Sequence, residues 1–171
     1  MTELAVTVIG HDRPGIVAEV TGALAALGAN LTDSTMTRLR GHFAMTLICA
    51  GDLASAEVEA ALRPLTADGR LLAEVRDIAP DADPAPTGEP YLLSVHGADR
   101  LGIVAAVTRV VAETGGNITD LSTRLVGPLY VLVAEVELGP SLADGLKERL
   151  AEVGVTLGVD VSLRRAEADL L

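Results

Sequence analysis

The chain carries its main constraint in duplicate. Gly10-His11-Asp12-Arg13-Pro14-Gly15-Ile16-Val17 returns as Gly97-Ala98-Asp99-Arg100-Leu101-Gly102-Ile103-Val104, an offset of 87 from Gly10 to Gly97. At the same offset stand the identical pairs Val8/Val95, Val20/Val107, Gly28/Gly115, Asn30/Asn117, Thr32/Thr119 and Asp33/Asp120. Apolar matches on a helix face follow from any shared fold, but matched Asp, Arg and Asn do not. The chain is an internal duplication. Whatever it folds into must be built from a unit of about 80 residues that can be used twice, and so small a unit buries only about 60% of its unfolded surface.

Hydropathy patterning gives the plan of the unit. Residues 4–9 alternate as a strand, with Leu4, Val6 and Val8 on one face. Ile16, Val17, Val20, Ala23, Leu24 and Leu27 then form a helical stripe, ended by Gly28 in the place of a left-handed cap. Strands are predicted over 30–39 and 43–50, around an Arg40-Gly41-His42 turn. A second helix over 54–65 carries Val58, Ala61, Leu62 and Leu65, and a strand over 71–78 closes the unit. The order is βαββαβ.

Residues 80–90 hold four prolines in eleven positions, a composition that opposes both helix and sheet pairing and marks a linker. The domains expected are therefore 1–79 and 91–171, with 164–171 as a frayed tail. In the second copy, strands are predicted over 91–96, 117–125 and 130–138. The first helix returns as Ile103, Val104, Val107, Val110 and Val111 with Gly115 as its cap. Ser141 is placed as the cap of the last helix, and 155–163 as the last strand. This is an α+β chain of two ferredoxin-like units, each an antiparallel four-stranded sheet with both helices on one face. The bare sheet face and the edge strands call for partners, which two units side by side or a homodimer would supply, and a homodimer is the expectation carried forward.

Composition removes whole classes of function. Acidic residues number 24 against 13 basic ones, for a net charge of −11, and the only aromatics are Phe43, Tyr91 and Tyr130. Neither a basic footprint nor a stacking platform for bases is visible, so direct nucleic-acid contact is not expected. Apolar runs fall far short of the roughly 20 residues of a membrane span, and residues 1–4 show no secretory pattern. Cys49 is the only cysteine, which excludes an internal disulfide. A cytoplasmic protein is the expectation. Gly10-x-x-x-x-Gly15 continues into Ile16-Val17 and not Lys-Ser/Thr, so it is no P-loop, and no G-x-G-x-x-G is present. No cofactor or metal site is expected. His11, His42 and His96 are scattered along the chain, and no nucleophile motif appears.

The repeated loop is the candidate site: Gly10, His11, Asp12, Arg13, Pro14, Gly15 and Ile16 in the first copy, and Gly97, Asp99, Arg100, Gly102 and Ile103 in the second. Asp12 is expected to cap the first helix, with Pro14 at its first position and Gly15 allowing close approach. Free N–H groups there suit a carboxylate, and Asp12 with Asn30 would accept from an ammonium. Asn30, and Asn117 in the second copy, complete the set if strand two begins beside the loop. A zwitterion matches this composition better than a nucleotide. Leu101 for Pro14 and Ala98 for His11 predict two unequal sites.

The D-R-P-G-I loop, the Asn eighteen residues beyond its Asp and the βαββαβ order resemble ACT domains, over nearly the whole chain and twice. As a tandem pair the chain is similar to the glycine cleavage system transcriptional repressor group. The resemblance implies a non-catalytic regulator that binds a small amino acid, glycine or serine first, and acts on a regulatory protein partner. It also implies ligand contact through Asp12 and Asn30, and through Asp99 and Asn117. Two rival readings are a ligand-free assembly module and an acyl- or phosphoryl-group hydrolase using the Arg13 loop as an anion cradle and Asn30 to orient water.

Overall fold

The computed structural model describes residues 2–79 and 88–166. The chain divides into two units, Met1–Asp83 and Pro84–Leu171. In the first, β1 (Thr2–His11) leads to α1 (Ile16–Ala26), β2 (Asn30–Leu39), β3 (His42–Gly51), α2 (Ser55–Thr66) and β4 (Leu71–Ile78). The second repeats this order as β5 (Glu89–Ala98), α3 (Ile103–Glu113), β6 (Asn117–Val126), β7 (Leu129–Leu138), α4 (Ala143–Leu157) and β8 (Val159–Arg165). Each unit is one four-stranded sheet, ordered β2-β3-β1-β4 and β6-β7-β5-β8, with every pair antiparallel.

The period-2 pattern decides the sheet faces. Leu4, Val6 and Val8 of β1 and Phe43, Met45, Leu47 and Cys49 of β3 are all buried against the helices. Helix α1 answers with Ile16, Val20 and Leu24, and α2 with Val58 and Leu62. The second core is built the same way, from Leu93, Val95, Leu132 and Val136 under Ile103, Val107, Val111, Leu146 and Leu150. Leucines and valines of this kind contribute roughly 1.5–3 kcal/mol each on full burial. Burial raises the Cys49 thiol above its ordinary range, so it behaves as a small apolar residue.

Helices α1 and α3 end as their glycines foretell. Gly28 and Gly115 take φ of 79° and 83°, and the amides of Ala29 and Gly116 reach back to the carbonyls of Leu24 and Val111. Other expectations fail on physical grounds. Ser141 does not cap α4: it lies in the left-handed region at φ 69°, and the N-cap position belongs to Leu142. Val155 and Leu157 are helical, because α4 runs on until Gly158 at φ 64° ends it. Glu89 and Pro90, read as linker, begin β5, whereas 80–87 lie outside the described residues. Of the segment read as a tail, Arg164 and Arg165 end β8, and 167–171 lie outside the described residues.

Candidate functional site

Helix α1 decides what surrounds the loop, because it carries the chain back along the sheet before β2 begins. Asn30 faces Ala50, and Ala50 faces Glu3 near the start of β1. Asp12 follows the other end of β1. Nine strand residues at about 3.3 Å each put Asn30 and Asp12 on the order of 30 Å apart in one unit. The expectation that strand two starts beside the loop is therefore wrong. Asn117 stands in the same relation to Asp99, facing Glu137, which faces Pro90. Asn117 instead lines a separate hollow of about 600 Å³ between α3 and β6. Within a single unit, the hydrolase reading loses its geometry with this separation.

The end of β2 takes the place meant for its beginning. The Arg40-Gly41 turn, with φ of 49° and 82°, folds β2 onto β3 so that Arg38 faces Phe43 and Phe43 faces Gly10. The Asp12 amide donates to the Gly41 carbonyl at 2.9 Å, and Arg38 Nη1 donates to Asp12 Oδ2 at 3.3 Å. Asp12 thus does not cap α1. The N-cap position is held by Gly15 at φ 91°, repeated by Gly102 at φ 92°, and neither helix start has a side-chain cap. Only glycine takes that conformation without strain, which accounts for both residues. Pro14 precedes the helix and is not its first residue.

Around this loop opens a cavity of about 400 Å³ lined by Asp12, Arg13, Gly15, Ile16, Val17, Ala18, Met36 and Phe43. Its wall is mostly apolar and its rim is charged. Arg13 grips Glu19 with two bonds of 2.6 Å, Nη1 to Oε1 and Nη2 to Oε2. That bond raises the Arg13 guanidinium and lowers the Glu19 carboxyl relative to their ordinary values. A lowered carboxyl stabilises the folded state above its unfolded titration range, and the contribution disappears as pH falls through the folded value. The Glu19 side-chain ¹³C resonance is expected to titrate below the ordinary glutamate range and to return to it in Arg13→Ala. Identical midpoints in both proteins would refute the pairing in solution.

The second unit shares the letters but not the arrangement. Ala106 occupies the place of Glu19, and Arg100 lies instead against Gly158, with Nη2 3.5 Å from where a Cβ would stand. There it meets the carbonyl end of α4, which favours a cation. Leu125 stands in the position of Arg38 and Thr123 in that of Met36. Gly97 and Ile103 keep the roles of Gly10 and Ile16, one crowded against β8 and the other buried in the core.

Two further groupings escaped sequence reading. His11 and His42 close the β1–β3 ladder and stack with ring centroids 5.1 Å apart. The His11 amide donates to the Arg70 carbonyl, so Arg38, Arg40 and Arg70 come to the same end of the first sheet. No signal in the linear order pairs residues from three segments; the strand register does. No group of three or more His, Cys, Asp or Glu side chains disposed to hold a metal occurs among the described residues.

Two copies of a βαββαβ unit, each with a glycine-started helix after its first strand, define the class. The chain belongs to the ACT domain family, whose model matches residues 2–76 and again 89–164. A UPF0237 protein of Methanopyrus kandleri is 50% identical over 78 residues, 44% of this chain and 87% of that protein. One from Methanocaldococcus jannaschii is 35% identical over 78 residues, with the same shares. Within the ACT family, then, this is a tandem protein of the UPF0237 kind. A solved structure of an unknown protein from Galdieria sulphuraria is 31% identical, covering 97% of this chain and 99% of that one at a TM-score of 0.83. Another, named as a candidate glycine cleavage system transcriptional repressor, is 22% identical over 97% and 98% at a TM-score of 0.74, which establishes a shared fold. No helix among the described residues is long and apolar enough to cross a membrane.

Proposed function

We propose that the chain is a non-catalytic regulatory protein that binds a free amino acid at the Asp12 loop and passes that event to a protein partner. The cavity beside Asp12 carries the reading: an acceptor for an ammonium, a guanidinium within reach of a carboxylate, and an apolar wall, in a chain of the ACT family. The structural neighbour named for the glycine cleavage system supports a role in amino-acid metabolism or its transcription. With a net charge of −11, such control would pass through a protein and not through DNA. Coupling of this kind is typically about 1–3 kcal/mol. Because Asn30 lies at the far end of the sheet, a ligand touching both Asp12 and Asn30 would take the Asn30 of a second copy, which makes a homodimer part of the proposal. Glycine and serine are the candidates drawn from the resemblance.

A thermal-shift screen of the full chain against the twenty amino acids tests it. A ligand at 100 times its dissociation constant adds about 2.7 kcal/mol, on the order of ten degrees for a unit this small. Asp12→Ala is expected to remove the shift, and Asn30→Ala to weaken it if a second copy supplies that residue. No shift with any of the twenty would sink the reading.

A further inference from the structure

Resting on the amino-acid-binding reading above, we propose that the first unit selects an amino acid with a medium-sized apolar side chain, of the leucine or methionine class, over glycine and serine. We infer also that the chain holds one such ligand. The argument begins with the wall of the cavity. Val17 and Met36 stand 40% and 48% exposed on it, above Phe43, which is 1% exposed. Polar side chains would serve as well on a surface that only met water, and these three come from α1, β2 and β3 to face one hollow. Its volume of about 400 Å³ lies within the range of small-ligand pockets and is several times what glycine fills. Glycine or serine would leave Val17 and Met36 wet, whereas a longer apolar side chain covers them. Each methylene so buried tightens binding about fourfold.

The charged rim fits the other end of the same molecule. Arg38 and Asp12 meet at 3.3 Å, longer than the 2.7–2.9 Å of a tight charge-assisted bond. Arg38 is mostly exposed, so the pair can open without loss of the fold. A zwitterion can replace the contact on both sides, its ammonium donating to the Asp12 carboxylate and its carboxylate accepting from the Arg38 guanidinium. No net charge is added. Arg13, which also lines the cavity, is already paired with Glu19 and is not needed for this exchange.

The second unit lacks these parts at the matched places. Leu125 replaces Arg38, Thr123 replaces Met36 and Tyr130 replaces Phe43, while Asp99 is retained. Without the guanidinium the carboxylate of a ligand has no side-chain partner there. The predicted inequality of the two sites thus acquires a direction: the first unit binds.

Isothermal titration of the full chain with glycine, serine, glutamine, leucine and methionine is the test. Leucine or methionine is expected to bind at least about tenfold tighter than glycine, serine or glutamine, with one ligand per chain. Glutamine matches methionine in length and differs in its polar end, which separates apolar contact from size. Met36→Ser should narrow the preference several-fold, by weakening leucine and methionine more than glycine. Arg38→Leu, which copies the second unit, should abolish binding. Glycine, serine or glutamine binding as tightly as leucine would overturn the selectivity and leave amino-acid binding standing. Two ligands per chain would overturn the single site. Heat from none of the five, together with silence in the twenty-member screen, would overturn the reading beneath both.

Discussion

Replacing Gly10 by alanine is expected to destabilise the first unit by about 3 kcal/mol or more, although the residue adds one methyl group. The reason is room. A Cβ on Gly10 would lie 2.0 Å from the Arg70 carbonyl oxygen and 2.9 Å from the Leu71 Cα, both backbone atoms of the neighbouring strand segment. Backbone cannot rotate aside as a side chain can, so β4 must part from β1, and the His11 amide bond to Arg70 goes with it. Gly97 holds the same place in the second unit, but there the nearest atom is Val159 Cγ1 at 2.8 Å, with the Val159 Cα at 3.1 Å. Rotation of the valine relieves part of that clash, and about 1–2 kcal/mol is expected for Gly97→Ala. Urea unfolding followed by unit-resolved amide resonances measures both, since a two-unit chain need not unfold in one step. Equal losses from the two variants would count against the backbone argument.

Phe43→Ala should cost about 3–5 kcal/mol, the range for deleting a buried aromatic ring. Phe43 is buried in the first core, at the start of β3 and opposite Arg38. It is also the floor of the cavity, so its removal joins the hollow to the core and admits water between α1 and the sheet. Tyr130, its counterpart, is only half-buried, and Tyr130→Ala is expected to lose clearly less. Denaturant midpoints of the two variants decide the matter; a Tyr130→Ala loss as large as that of Phe43→Ala would refute the difference in burial.

The fold was legible because the repeat and the two hydropathy periods agree over long stretches. Val58 and Leu62 mark a helix, and Leu4, Val6 and Val8 mark a strand, in any register. What escaped was chain direction. A helix of eleven residues between β1 and β2 must return the chain to the start of β1, so Asn30 could never have stood beside Asp12 in one antiparallel unit. The same reasoning, applied to the Arg40-Gly41 turn, would have put Arg38 there. Val155, Leu157 and Val159 misled because alternation and a helical face are not distinguished over so few residues; Gly158 was the better marker. The shared Asp-Arg letters concealed a difference made elsewhere, since Arg13 and Arg100 are positioned by Glu19 and by the end of α4, outside the motif.

Both units carry an irregularity at one place, between Leu31 and Asp33 in β2 and between Ile118 and Asp120 in β6. One extra residue there, Thr32 or Thr119, has no partner on the neighbouring strand and interrupts the alternation of side chains. Met36 and Arg38 stand opposite Met45 and Phe43, so the hairpin register sets them on the helix side, and the extra residue lets Leu31, opposite Cys49, lie on that side too. Deleting Thr32 would leave Leu31 opposite Cys49 and Met36 opposite Met45, so the strand would straighten and none of these side chains would turn to the bare face. The bulge therefore works as a point of slack in β2. Length changes at the start of the strand are taken up there and stop short of the cavity wall at its end, which the turn holds in register.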